Sequence, residues 1–168
     1  MTSHFNPDHP LVHCTNPVKD TWIVLWNEVK GEFNEELEQY YLSSFTFEEF
    51  DHKPTIAEVK ETILSWYNEQ INSDIQGNFT WNNIPVWLSI ENQLNYKTAY
   101  DLATHTSGKI LPTFKFGTSE NPIYYTFEDL DTLKDFYTQM ASFVAETLSK
   151  GWEEKDSIDW TVYEELLK

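Results

Sequence analysis

Four side chains able to hold a metal or attack an electrophile lie close together near the start of the chain: His4, His9, His13 and Cys14. Imidazole and thiolate are good zinc ligands. Their spacing is irregular, however, Pro7 and Pro10 interrupt it, and no CxxC or HxxxH pair falls on a predicted element. The stretch reads as a flexible arm with scattered histidines, and no metal is expected. A cysteine nucleophile needs a histidine base and an electropositive pocket, and Cys14 shows neither. His52 and His105 read as solvated or capping residues. Paired carboxylates near tryptophans are the apparatus of glycoside hydrolysis. The acids in question, Glu48-Glu49-Asp51 and Glu153-Glu154-Asp156, are consecutive runs that point in different directions, the pattern of a solvated face. The chain has 5 glycines, none within a phosphate-cradling loop, and neither GxSxG nor HExxH occurs. No catalytic residue and no cofactor are expected.

The aromatic side chains remain. Trp22 and Trp26 lie four apart on a predicted strand and share one face with Val24. Trp81 and Trp87 flank a predicted hairpin. With 7 Trp, 9 Tyr and 11 Phe in 168 residues, some rings are expected to exceed what the core can hide, and an exposed surplus marks an interface. The candidate interaction residues are therefore Trp22, Val24, Trp26, Trp81 and Trp87.

Charge narrows the partners. The net charge is −17, and all 11 basic residues are lysines. Without arginine there is no bidentate clamp for phosphate or a base edge, and a polyanion approaching this surface meets a repulsive field. Direct nucleic-acid binding is excluded. Cys14 is the single cysteine, so no intrachain disulfide forms. No apolar run is long enough to cross a bilayer, and the first residues lack the basic start and apolar stretch of a signal peptide. Synthesis in a cytoplasm and no membrane association are expected.

The elements that must position these residues follow from pattern. Residues 1–20, with three prolines and no apolar period, predict an extended arm. Residues 21–29 are rich in β-branched and aromatic side chains and predict a strand. Residues 36–47 fit either a helix face (Phe33, Leu37, Tyr41) or an antiparallel partner strand, and the strand is preferred. Thr55-Ile-Ala-Glu58 is a capping box opening a helix to about residue 73. Asn82-Asn83 predicts a tight hairpin turn, with Pro85 on an edge strand. A second helix over about 91–106 is expected to turn Leu94, Tyr100, Leu102 and Ala103 inward and to end at Gly108. A second hairpin turns at 117–121. The last long helix is expected to be capped by Thr126, to bury Leu130, Leu133, Phe136, Tyr137, Met140, Phe143, Val144 and Leu148, and to close at Gly151. Hairpins interleaved with helices make the expected class α+β: a small antiparallel sheet covered by two or three helices, organised as an arm (1–20) and a single domain (21–168).

From Phe50 onward the wording becomes specific. Phe50-Asp-His-Lys-Pro-Thr-Ile-Ala-Glu, Ile84-Pro-Val-Trp-Leu-Ser, Leu111-Pro-Thr-Phe-Lys-Phe-Gly and Gly151-Trp-Glu-Glu-Lys-Asp-Ser-Ile-Asp-Trp160 come in consistent order. Over about 50–160 the chain resembles a domain of unknown function that recurs in tail-fibre and other virion proteins of Bacteroidetes phages and prophages. The resemblance transfers no catalytic residue. It implies a non-enzymatic virion structural or assembly protein, built into the particle in the host bacterial cytoplasm, that contacts other virion proteins and associates with itself. The rival expectations are a carbohydrate- or receptor-binding or depolymerising tail module using Trp81 and Trp87, and an acidic decoy that mimics DNA.

Overall fold

A computed structural model describes residues 2–5, 9–34, 39–40 and 43–168; of the side chains, those of 3–5, 33–34 and 39–40 also lie outside the description. Ten strands and four helices follow one another in it: β1 (Thr2–Phe5), β2 (Val12–Asn16), β3 (Thr21–Val29), β4 (Phe33–Asn34), β5 (Gln39–Tyr40), β6 (Ser43–Phe50), α1 (Ile56–Gly77), β7 (Thr80–Trp81), β8 (Ile84–Pro85), α2 (Ile90–His105), β9 (Thr113–Gly117), β10 (Pro122–Thr126), α3 (Leu130–Asp156) and α4 (Trp160–Leu166). The class is α+β, with antiparallel, hairpin-based sheets, as expected. The chain divides into two compact units, Met1–Trp66 with Ser157–Lys168, and Tyr67–Asp156. The chain passes between the two units within α1 and again after Asp156. A continuous helical pattern carries no mark of such a boundary, because the apolar spacing runs straight through it.

In the first unit (the sheet unit) four strands pair in the order β1-β6-β3-β2. The predicted strand over 21–29 is β3. The preferred strand reading after it is borne out from Ser43 onward, where β6 lies antiparallel to β3 with Leu25 opposite Phe47; residues 41–42 and the side chains of the rival helix face lie outside the described residues. Within residues 1–20, the described segments 2–5 and 12–16 are strands of this sheet. Thr2 pairs with Thr46 in β1, and Val12 with Val24 in β2. Pro10 and Pro17 fall outside these strands, where no ladder hydrogen bond is demanded of them. The capping box forms as read: the Glu58 carboxylate accepts from the Thr55 N–H at 2.8 Å, and Thr55 Oγ1 accepts from the Glu58 N–H at 3.3 Å. Near the other end of the chain, Tyr163 on α4 donates its hydroxyl to the Leu25 carbonyl of β3 at 3.0 Å, tying that helix to the sheet.

The Tyr67–Asp156 unit (the aromatic unit) packs α2 and α3 with the hairpins β7–β8 and β9–β10. Asn82 and Asn83 carry φ of 51° and 62°, the paired left-handed values of a two-residue hairpin turn. Two helix ends differ from expectation. Thr126 closes β10, and Asp129 caps α3 instead, its carboxylate accepting from the Thr132 N–H at 2.7 Å. Gly151 does not end α3, which continues to Asp156. A glycine stands there because a Cβ would lie 2.3 Å from Ile71 on α1; it is a notch for a neighbouring side chain rather than a stop. α2 does end as expected near Gly108, with Ser107 (φ 53°) and Gly108 (φ 78°) both left-handed. Gly108 N–H bonds the Ala103 carbonyl at 2.8 Å and Ser107 N–H that of Thr104 at 3.1 Å, the double closure of a Schellman end.

Candidate functional site

Side chains capable of chemistry are dispersed. Among the described residues no three His, Cys, Asp or Glu side chains converge as a metal cage, and no helix is long and apolar enough to cross a membrane. His52 looks at first like a base oriented by an acid: Nδ1 lies 2.8 Å from Asp51 and Nε2 3.0 Å from Glu58. Both nitrogens are thereby occupied, so neither is left to take a proton from a substrate. The hydrogen bonds to Asp51 and then Glu58 raise the imidazole pKa. Glu58 in turn is lowered to about 2, first by the Thr55 N–H and hydroxyl and then by His52. The cluster caps α1. His105 spends Nδ1 on the Asp101 carbonyl one turn back, at 2.7 Å. The acids Glu48, Glu49, Asp51, Glu153, Glu154 and Asp156 are exposed, along one strand end and one helix.

Of the five candidate interaction residues, three are interior. Val24 is 0% exposed, Trp26 5% and Trp81 1%. The reason on β3 is α1: the Trp66 ring meets Trp26 edge-on at 6.2 Å, so the face expected to recruit a partner is already covered within the unit. Trp22, at the strand's start, remains half-buried, its indole N–H donating to Asp20 at 2.8 Å and Lys53 lying over its ring. Trp81 is a core residue. Its ring packs against Tyr125 (5.0 Å), Phe136 (5.3 Å), Phe127 (5.6 Å) and Phe116 (6.2 Å), and its N–H donates to Asp135 at 3.1 Å. Two donors, first Gln139 and then Trp81, lower the Asp135 pKa.

Trp87 alone of the five is open, at 55% exposure. It borders a pocket of about 420 Å³ lined by Gly77, Pro85, Val86, Gly117, Thr118 and Ser119. Gly117 holds the far wall, with φ at +80° and a Cβ position 2.3 Å from the Asn121 carbonyl oxygen, so the hairpin loop closes only around a glycine.

Two strongly exposed aliphatics lie elsewhere, on α2. Ile90 and Leu94 are 82% and 64% exposed. With Lys97 of α2 and Tyr137, Met140 and Val144 of α3 they line a groove of about 380 Å³. Leu94 and Leu102, expected to face inward, face out; the inward residues are Tyr96 and Ala103, with Tyr100 stacked on Tyr137 at 4.4 Å and 5°. α2 therefore carries two apolar stripes, Tyr96/Tyr100/Ala103 and Ile90/Leu94/Leu102. Pattern reading merged them because both recur at helical spacing. The available signal was Ser89, whose hydroxyl accepts from the Asn92 N–H at 3.2 Å and so fixes where the helix begins. No protein-family model, curated protein or solved structure matches this chain.

Proposed function

We propose that the protein is a non-enzymatic component or assembly factor of a phage virion, put together in the host bacterial cytoplasm and acting through contacts with other virion proteins and with further copies of itself. The observation that carries this reading is the outward stripe of α2 and its groove. Ile90 and Leu94 lie in open water although the aromatic unit has an ample core, and a contiguous apolar surface of this kind is stabilised by an apolar neighbour. The sequence resemblance over about 50–160 supplies the setting, and His52, with both ring nitrogens engaged, fits a chain without a reaction to perform. At a net charge of −17, like chains repel until salt screens them. Self-association through the groove therefore strengthens with moderate salt, whereas an acidic decoy bound to a basic partner weakens.

The deciding experiment is mass spectrometry of purified particles, with sedimentation of the isolated chain alongside. A defined copy number in particles, and loss of self-association in Leu94→Glu, are the expected results. Absence from particles together with a strictly monomeric chain at every salt concentration overturns the proposal.

A second reading rests on Trp87. An exposed indole beside the hydroxyls of Thr118 and Ser119 is a surface on which a sugar ring stacks while its hydroxyls are hydrogen-bonded. Trp81 has no part in it, being enclosed. Glycan-array binding lost in Trp87→Ala supports this reading, and silence of the wild-type chain on the array removes it.

A further inference from the structure

The hairpin β9–β10 leaves one side of its second strand bare. Phe127 N–H donates to the Pro112 carbonyl at 3.1 Å and Thr118 N–H to that of Asn121 at 3.2 Å. Between these ends Ile123 stands opposite Phe116 and Tyr125 opposite Phe114. Bonded and non-bonded pairs alternate along an antiparallel ladder, and both end bonds give the same phase. Ile123 and Tyr125 turn their backbone groups to β9, whereas Pro122, Tyr124 and Thr126 turn theirs away. No third strand pairs with β10 among the described residues, and Tyr124 is 69% and Ile123 41% exposed. On its other side β9 runs beside β8, so the open rim belongs to β10. Charges, bulges and prolines are the usual guards of such a rim. β10 contains no charged residue and its register runs without a bulge, whereas β2, a rim of the sheet unit, is broken between Cys14 and Asn16. Its single guard is Pro122, which withholds one N–H at the first position of the strand.

We infer that the β10 rim is a strand-addition site whose occupant is an extended segment of another protein, basic at its ends. Tyr124 and Thr126 offer N–H and carbonyl groups at two-residue spacing, and Pro122 a further carbonyl, which is the complement of one extended strand. The incoming strand sets a β-branched or aromatic side chain opposite Tyr124 on the solvent face and an apolar one beside Ile123 on the other, so its sequence alternates. Charge decides against a second copy. Glu120 in the turn before β10 and Glu128 just after it are both exposed, and they bracket the strand with carboxylates in a chain of net charge −17. Lysine or arginine at the ends of the incoming strand answers them, whereas another copy of this chain brings the same carboxylates again. The contact is separate from the α2 groove. Added salt weakens it, the opposite of its effect on self-association there.

The probe is a synthetic peptide with an alternating threonine–valine centre and lysines at both ends, titrated into the full chain and followed by amide NMR and hydrogen exchange. In the free chain the Tyr124 and Thr126 amides are expected to exchange fast, and those of Ile123 and Tyr125 slowly. On binding, Tyr124 and Thr126 shift and gain protection. N-methylation of the peptide at alternate residues should abolish binding in one phase and spare it in the other. Glutamates in place of the end lysines should weaken binding about tenfold at low salt. Tyr124→Pro removes an outward N–H that β9 does not use, so it should lose the peptide and keep self-association, while Leu94→Glu does the reverse. Protection of the wild-type Tyr124 and Thr126 amides before peptide is added, no response of either to the peptide, or equal binding of the glutamate-ended peptide overturns the site. So does loss of self-association in Tyr124→Pro, which makes the occupant a second copy. The wild-type spectra decide this whether or not the variant folds.

Discussion

In the aromatic unit a single residue, Phe136, has six rings around it: Phe116 at 5.2 Å, Trp81 and Tyr96 at 5.3 Å, Phe127 at 5.7 Å, Phe114 at 5.9 Å and Phe79 at 6.3 Å. In the sheet unit many of the most deeply buried residues are aliphatic (Val12, Ile23, Val24, Leu25, Val59, Ile63), and the rings of Trp26, Phe45 and Tyr163 lie among them. Ring networks bury large area per residue and add edge-to-face preferences to it, but each member depends on the placement of several others. Aliphatic strand packing spreads the same task over interchangeable side chains and a backbone ladder. The aromatic surplus counted from composition is thus largely consumed in one unit's interior. What that unit leaves in solvent includes an aliphatic helix face.

The sharpest way to break this comparison is Phe136→Ala. Truncating a fully buried ring costs about 3–5 kcal/mol, and hydrogen exchange should show α2, β9 and α3 losing protection while β3 and β6 keep theirs. Equal loss in both units would mean that the chain unfolds as one body and that the contrast is only descriptive. Next comes Gly151→Ala. A methyl group placed against Ile71 overpacks the contact between α1 and α3, at a cost of about 1–3 kcal/mol by urea denaturation. Ile71→Ala in the same chain should recover part of it, a non-additivity expected only of touching residues.

In the sheet unit Tyr163→Phe leaves the Leu25 carbonyl without its hydroxyl donor and should cost about 1 kcal/mol, read from the denaturation midpoint. The smallest expected effect is a pH dependence at the start of α1. Glu58 is depressed in the folded chain from 4.5 to about 2, so its contribution is present above pH 4.5 and is lost as pH falls toward 2. His52 is raised above 6.5, so its contribution is present below pH 6.5 and is lost as pH climbs past the folded value. Support from the pair is therefore fullest between pH 4.5 and 6.5. The Tm difference between wild type and Glu58→Gln should peak there and fall away in acid. On the alkaline side the responsible group is in the aromatic unit: burial pushes the Tyr96 phenol up to about 12. That unit should lose stability from pH 10 upward, as the unfolded phenol ionises first.

Local chemistry was legible wherever one residue type forces one conformation. Asn82-Asn83, the Thr55/Glu58 box and the β-branched run from Thr21 to Val29 all appear where the sequence places them, and so does the apolar stripe of α3. What could not be read depends on a second segment. Gly151 has the form of a helix stop, and only the approach of Ile71 makes it a notch. The Trp22/Val24/Trp26 face has the form of a free surface until Trp66 folds across Trp26. Leu94 and Tyr96 are both plausible core residues two positions apart, and tertiary packing chose the ring. The candidate site divides in the same way. Trp87 was named from its type and hairpin position, whereas the groove of α2 was not, because Leu94 recurs at helical spacing as a core residue does.

The strand order β1-β6-β3-β2 places the first two strands of the chain on the two outer rims, around a middle pair that comes later. During synthesis β2 finds β3 almost at once, but β1 has no partner until Thr46 has emerged to meet Thr2. Within this sheet β1 is thus paired after β2, closed by a longer loop than its neighbours. Clipping the chain before β2 would bare the outer backbone of β6 as a row of open donors and acceptors, a ready template on which a second molecule could lay a strand of its own.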